Sequence, residues 1–161
     1  MKRVRVPNHL ILYNLLENHE EEVIRAYGRL LHDPKAGSRF ASYQRLTTEE
    51  HDWDHRVVLG HLKNAVRTRD RNILVSYCRN LAERRFSQEF QAGELCGALE
   101  ALNLVIFRVL RRDPATKNLR KEMLDLVTAP LRFSCDEVQE TFDHLAEREA
   151  RRKAREESGA G

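Results

Sequence analysis

Three histidines lie close together in the sequence and are its clearest group of chemically active side chains. His51, His55 and His61 are accompanied by Asp52 and Asp54. Residues at i and i+4 share one face of an α-helix, so His51 and His55 could bind a divalent metal together. His61 follows six residues after His55, most of a turn off that face. The pattern therefore favours surface or partly buried histidines, with a metal- or haem-binding helical protein as the alternative.

The distribution of histidines argues against iron chemistry, and the usual catalytic motifs are missing from the sequence. A di-iron bundle uses Glu-x-x-His pairs on two helices, but no histidine occurs between Leu62 and Asp143. A haem would need a proximal histidine from the helix that precedes Ser87, and that helix lies within the same stretch without histidine. There is no Gly-rich phosphate loop or G-x-S-x-G elbow, and no Cys/His dyad has a local context. We expect a protein that is not an enzyme and has no cofactor.

The three cysteines predict reduced thiols in a cytosolic protein. Cys78, Cys96 and Cys135 are an odd number at wide spacing, without a C-x-x-C pair. Each lies among apolar helical positions, and nothing nearby in the sequence would lower a thiol pKa. We expect them to behave as small hydrophobic residues of a core.

The composition suits one mostly helical domain without a membrane or nucleic-acid partner. The 161 residues are 41% hydrophobic and 33% charged, with 7 Gly and 4 Pro. The net charge of +3, from 28 basic and 25 acidic residues, is too balanced to indicate nucleic-acid binding. The basic cluster from Arg108 to Lys121 leaves a nucleic-acid regulator as a weaker alternative. No apolar stretch reaches the ~20 residues of a membrane span, and we expect no secretory signal because the first residues have charge but no apolar core.

Apolar residues recur at helical spacing through most of the chain, and no stretch alternates as a strand does. We predict an all-α fold of about six main helices, packed as an antiparallel bundle or crossed in a globin-like way. The predicted helices are Asn8 to Leu31, one after the Thr47/Glu50 capping box, one from Asp70 or Asn72 to about Phe86, one from Ser87, one after Asp113-Pro114 that Pro130 disturbs, and one after the Ser134/Glu137 capping box.

The helix that contains Leu95 to Leu110 is predicted to be the centre of the core. Its apolar residues recur at intervals of three and four and cover a wide arc of the helix. Trp53 lies on the apolar stripe of another helix and is also predicted to be core. The predicted domain covers residues 1–146. Residues 147–161 carry mixed charge and no large apolar side chain, which predicts a fraying helical tail.

Residues 79–95, RNLAERRFSQEFQAGEL, carry a family resemblance. A helix with a basic end, a short Phe-Ser turn, an acidic residue and a long apolar helix resemble the amino-terminal sensor domain of the RsbR-type co-antagonists of the bacterial stressosome. The order of elements fits from about residue 10 to residue 145. The resemblance implies a globin-like helical fold without haem, usually dimeric, acting as an input module that biases a partner.

Two features depart from that family. Its members commonly continue into a carboxy-terminal STAS domain, whereas this sequence ends after its charged tail. The family often carries a Trp in the first long helix, where Tyr27 is the nearest aromatic residue here. Phosphorylation of an output domain therefore cannot be carried over, and the resemblance transfers no catalytic residue.

We expect a cytoplasmic, non-enzymatic sensor or interaction domain of bacterial stress signalling. A ligand or partner would act by binding one of two helix packings better than the other. The expected partners are a second copy of the chain and a regulatory protein. A homodimer would pair long helices, and its candidate interface residues are Leu12, Leu16 and Tyr27 in the first helix or Val138, Phe142 and Leu145 in the last.

Overall fold

The computed structural model describes residues 5–159, without the side chains of residues 34, 36 and 38. Within that part of the chain there is no strand, and the predicted all-α class is confirmed. The α-helices are α1 (Asn8–Asn18), α2 (Glu20–Leu31), α3 (Thr48–Thr68), α4 (Asn72–Ser87), α5 (Ala92–Leu110), α6 (Arg120–Met123) and α7 (Ala129–Gly159). A 3-10 segment spans Pro34–Arg45, a 3-10 turn spans Pro114–Thr116, and a π-helical turn spans Leu124–Thr128. Because α6 is a single turn, six main helices remain.

Helix α5 forms the centre of the core, as its periodicity predicts. Leu95, Leu102, Ile106 and Leu110 are at most 2% exposed. Helix α2 packs against one side of α5 and α7 against another, while α4 runs along α7. Burial of each such leucine or isoleucine contributes about 1.5–3 kcal/mol, so α5 carries a large share of the hydrophobic stabilisation.

The predicted single helix from Asn8 to Leu31 is wrong, because the chain turns at His19 between α1 and α2. His19 leaves helical geometry, with φ −105° and ψ 11°. Its Nε2 lies 3.0 Å from Asp113 Oδ2, which ties the turn to the end of α5. Three glutamates follow His19 in the first turn of α2, where negative charge is favourable for a helix amino terminus.

The boundaries of α3 and α5 depend on side-chain caps. Thr47 caps α3 as predicted, since its Oγ1 accepts a hydrogen bond from Glu50 N at 3.1 Å. Ser87 was expected to begin the long helix, but this is wrong: Ser87 is the last residue of α4. Helix α5 begins only after Gln91, whose backbone N–H donates to the Glu94 carboxylate at 3.0 Å.

The last long helix begins earlier than the Ser134/Glu137 pattern predicts. Ser134 is wholly buried inside α7, and its Oγ donates to Pro130 O at 2.9 Å instead of capping an end. Pro130 has no backbone N–H and would clash with the carbonyl four residues before it. The wider π-helical turn just before Pro130 accommodates this, so the chain stays helical from Arg120 onwards.

The charged end of the chain continues α7 as a single exposed helix to Gly159. Ion pairs at i, i+4 run along it, with N–O distances of 2.8 Å for Arg152–Glu156, 3.7 Å for Lys153–Glu149 and 3.9 Å for Arg151–Glu147. Exposed pairs of this kind contribute only a few tenths of a kcal/mol each. Residues 1–4 of the predicted domain and 160–161 of the predicted tail lie outside the described residues. Among the described helices, none combines the length and the apolar character that a bilayer crossing requires.

Candidate functional site

Helix α3 turns two of the predicted histidines into the interior of the molecule. Because Thr47 fixes the start of α3, His51 and His55 fall one turn apart on its inner face and are only 3% and 4% exposed. His32, just after α2, joins them, with its ring centroid 3.5 Å from that of His51. We refer to His32, His51 and His55 as the histidine cluster.

A chain of hydrogen bonds fixes the protonation of the two buried rings. Nε2 of His51 lies 2.6 Å from the backbone oxygen of Tyr43, which can only accept, so this nitrogen carries a hydrogen. Nδ1 of neutral His51 must then accept, and it lies 3.4 Å from His55 Nε2. The order is therefore His55 N–H to His51, and His51 N–H to Tyr43.

Burial keeps both imidazoles neutral. Burial, with a smaller contribution from the neighbouring histidines, lowers the pKa of His55 to about 3. Burial also lowers the pKa of His51, although the hydrogen bond to Tyr43 O opposes this. A proton that enters the chain therefore meets a desolvated site and must break an existing hydrogen bond.

The histidine cluster separates a surface groove from an internal cavity. The groove has a volume of about 440 Å³ and is lined by all three histidines together with charged residues of α2 and α3. The cavity, about 30 Å³, is lined by apolar side chains and by Tyr27, Tyr43, Asp54, His55 and Arg85. This volume exceeds the ~10–15 Å³ that one water needs. His55 lines both spaces and is the side chain between them.

A buried ion pair forms the other polar wall of the cavity. The Arg85 guanidinium on α4 contacts the Asp54 carboxylate on α3, and it donates to Gln88 Oε1 at 2.7 Å. Arg85 is 3% exposed, and within the described part of the chain its Nε–H finds no acceptor. A charge in this position depends strongly on its counter-ion Asp54, because an unpaired buried charge is costly.

Tyr27 connects the histidine cluster to the apolar core. Its ring centroid lies 4.4 Å from that of His55, and its hydroxyl donates to Ala98 O on α5 at 2.9 Å. Burial raises the pKa of the Tyr27 phenol, so it remains a neutral donor. Tyr27 therefore contacts both His55 and the backbone of α5.

The 3-10 segment that carries Tyr43 is attached to α5 by a buried carboxylate. Glu94 accepts from Ser42 N at 2.8 Å and from Ser42 Oγ at 2.7 Å. Gly97, one turn later, lets Phe40 lie directly on α5, since a Cβ there would be 3.3 Å from the Phe40 ring. These contacts hold Tyr43 O in place for His51.

The structure separates the third predicted histidine from the other two. The His61 ring is 4.7 Å from the Tyr77 ring, between α3 and α4, and burial lowers the His61 pKa. Within the part of the chain that the structure describes, no group of three or more His, Cys, Asp or Glu side chains is arranged to hold a metal ion. The prediction that Trp53 belongs to the core is wrong: it lies between the two inward histidines in sequence, so it points outward and is 68% exposed.

Five of the six candidate dimer residues lie inside a single chain. Leu12, Leu16, Tyr27, Val138 and Phe142 are each at most 7% exposed, and Leu145 is half-buried. They pack in the intramolecular core. The exposed large apolar side chains are elsewhere, at Val6, Trp53, Ile73, Leu104, Leu124 and Phe133 among the described residues.

Sequence reasoning missed three members of the site, because each is recruited by tertiary contacts. His32 follows a helix end, Tyr43 contributes a backbone oxygen, and Arg85 reads as an ordinary cation near a helix carboxyl terminus. The available signal was the i, i+4 spacing of His51 and His55, which placed both on one face.

Comparison with known proteins identifies no relative of this chain. The chain matches no protein-family model, no curated protein and no solved structure. The likeness to RsbR-type sensor domains and the globin-like arrangement therefore stay predictions. The class shown is an all-α protein with a buried histidine cluster.

Proposed function

We propose that this protein is a non-enzymatic sensor or interaction domain whose helix packing responds to events at the histidine cluster. The carrying observation is the hydrogen-bonded chain of two neutral, buried histidines between a surface groove and an internal cavity. The resemblance to RsbR-type sensor domains supports a globin-like, haem-free input module of cytoplasmic bacterial stress signalling. The two lines of support are independent of each other.

The mechanism is a two-state change of packing around α3. If His51 gains a proton, its Nδ1 becomes a donor and faces the Nε2–H of His55, so the bond between the rings is lost. The new positive charge lies in a desolvated region that already holds the Arg85 guanidinium, with Asp54 as its counter-ion. A ligand in the groove that bonds His51 has the same effect. Either event favours a packing in which α3 moves away from Tyr43.

The side chains around the cavity favour a structural response over a catalysed reaction. Cys78 lines the same cavity as His55 and is the only nucleophilic thiol in its described wall. Burial raises the Cys78 pKa to about 11, so it stays protonated, and His55 Nε2 is already bonded to His51. The polar groups around the cavity already form hydrogen bonds and ion pairs with one another, as we expect of an element that changes between two packings.

Amide hydrogen exchange at pH 7.5 and pH 5.0, corrected for intrinsic rates, tests this function. We expect protection in the first half of α3 and in Pro34–Arg45 to fall at least tenfold more than protection in α5. The matched variant His51→Gln removes the imidazole whose protonation starts the change and should abolish the difference between the regions. An equal loss of protection in α3 and α5, or an unchanged difference in the variant, contradicts the proposal.

The homodimer belongs to the same proposal but needs a surface other than the predicted one. A second copy would meet exposed apolar side chains such as Leu104 or Phe133, since five of the predicted contacts are internal. Sedimentation of the wild type and of Leu104→Glu and Phe133→Glu over a hundredfold concentration range gives the solution mass. A monomeric wild type at all concentrations removes the dimer.

One distance favours a second candidate function, metal binding by His51 and His55. Their facing nitrogens are 3.4 Å apart, close to the spacing of two ligands that share a tetrahedral Zn²⁺ at ~2.0–2.1 Å. The hydrogen bond from His51 Nε2 to a backbone carbonyl is also common in metal-binding histidines. Stoichiometric zinc or iron in the purified protein, lost in His51→Ala/His55→Ala, would favour this candidate over the sensor.

A further inference from the structure

Two of the three cysteines meet across the interface between α5 and α7. Sγ of Cys96 lies 3.4 Å from the backbone oxygen of Cys135, and Sγ of Cys135 lies 3.6 Å from that of Cys96. The contacts are reciprocal, so both side chains occupy the same gap between the helices. Two thiols that share one gap are neighbours, as the partners of a disulfide must be.

The surroundings of the two thiols differ, which gives each thiol a different role in oxidation. The Cys135 side chain lowers the pKa of Cys96, and the Cys96 side chain raises the pKa of Cys135. The thiolate is the reactive, nucleophilic form of cysteine, so Cys96 is the thiol that we expect to react first with an oxidant. Cys135 is the thiol beside it that can displace the oxidised product.

The pair is accessible, whereas the third cysteine is not. Cys96 and Cys135 are half-buried, and Cys135 lines a groove of about 740 Å³ whose walls carry both apolar and charged side chains. Cys78 is fully buried against the internal cavity, and burial raises its pKa to about 11. A small oxidant therefore reaches two of the three thiols.

We propose that Cys96 and Cys135 form a reversible intramolecular disulfide when the protein meets a hydroperoxide. The Cys96 thiolate attacks the terminal peroxide oxygen, which breaks the O–O bond and gives a sulfenic acid and an alcohol or water. The Cys135 sulfur then attacks the Cys96 sulfur, and the hydroxyl leaves as water. Two thiols lose two electrons and two protons to the peroxide, and a thiol reductant reverses the reaction.

The cross-link would join α5, the centre of the core, to the last long helix. It would close a loop between residues 39 positions apart, which restricts the unfolded chain and fixes the groove between the helices. This redox site shares no residue with the histidine cluster and goes beyond the proposed function. It holds or fails whether or not the cluster senses anything.

The test is peroxide titration of the full-length, fully reduced protein. With a few equivalents of hydrogen peroxide we expect the titratable thiols to fall from three to one and the intact mass to fall by about 2 Da. Non-reducing peptide mapping should recover one peptide pair, joined through Cys96 and Cys135, at every protein concentration. Dithiothreitol should restore all three thiols. The Tm of the oxidised form should rise by roughly 5–10 °C.

Single serine variants distinguish the roles of the two thiols. Cys135→Ser should stop at a sulfenic acid on Cys96 that dimedone traps, while Cys78→Ser, the matched control, should oxidise as the wild type does. A cross-link through Cys78, a cross-link between chains, or three thiols that survive peroxide would each overturn the proposal. Because wild-type mapping identifies the linked residues directly, the result stands even where a variant fails to fold.

Discussion

The two sides of the interior are both buried but are built from different chemistry. Helix α5 presents leucine, isoleucine and valine side chains, whereas α3 presents His51 and His55 beside the Asp54–Arg85 ion pair. Apolar burial is non-directional, so the contacts of α5 do not depend on the geometry of individual hydrogen bonds. Buried polar groups are stable only while each hydrogen bond is made. The α5 side therefore stabilises the fold, and the α3 side makes it conditional on pH and on what contacts the histidines.

The largest effect should come from the apolar side. Leu102 is fully buried at the middle of α5, and Leu102→Ala removes apolar area and leaves a cavity. We expect the free energy of unfolding to fall by about 3 kcal/mol, within the range of about 2–5 kcal/mol for such changes. Urea denaturation at pH 7 followed by circular dichroism measures this. Leu104→Ala, on the 45% exposed neighbour, is the matched control and should cost about 0.5 kcal/mol or less.

A loss at Leu102 no larger than that at Leu104 would mean that α5 is not the centre of the core. The α5 side of the interior would then not be the main source of stability. Both variants lie on the same helix two residues apart, so helix propensity cancels and burial alone distinguishes them.

An intermediate effect is expected from the polar side, as a dependence of stability on pH. The pKa of His55 is about 3 in the folded protein and about 6.5 when exposed, so between these values the unfolded chain binds a proton that the folded chain excludes. Stability is therefore full above pH 6.5 and falls as the pH drops towards 3. From pH 7 to pH 5 the loss should be about 2 kcal/mol from His55 alone. His51 adds to it in the same direction.

His55→Gln isolates that contribution, because acid also protonates carboxylates elsewhere. The variant should be less pH-dependent than the wild type by about 2 kcal/mol between pH 7 and pH 5 in parallel urea titrations. Leu102→Ala, the apolar control, should lower stability at every pH and keep the wild-type slope. If stability depended equally on pH in His55→Gln and in the wild type, the polar side would not make the stability of the fold depend on pH.

The apolar side was predictable from the sequence because its signal is local. Leu95, Leu102 and Ile106 lie on one stripe of α5 by spacing alone, and neighbouring helices only cover it. Helix ends were harder. The turn at His19 depends on Asp113, and the start of α5 depends on Glu94, which also holds Ser42. No window of a few residues contains both partners of such contacts.

The polar side was predictable only in its first step. Helical spacing paired His51 with His55, but it could not supply His32 or the Tyr43 oxygen, which come from segments before α3. The Cys96 and Cys135 pair shows the same limit, since thiols 39 positions apart look isolated in a sequence. Trp53 failed for a different reason: an aromatic residue next to an apolar stripe was counted as part of it.

The smallest effect should come from Tyr27, the residue that joins the two sides. Tyr27→Phe keeps the ring against His55 but removes the hydroxyl that donates to Ala98 O, so it should cost about 1 kcal/mol at pH 7. If Tyr27 transmits changes at His55 to α5, the double variant with His55→Gln should differ from the sum of the single variants by at least 0.5 kcal/mol. Urea denaturation of the four proteins closes the cycle. Strict additivity would mean that the two sides are neighbours without being coupled, and that a sensor built on the cluster must reach its partner by a route other than α5.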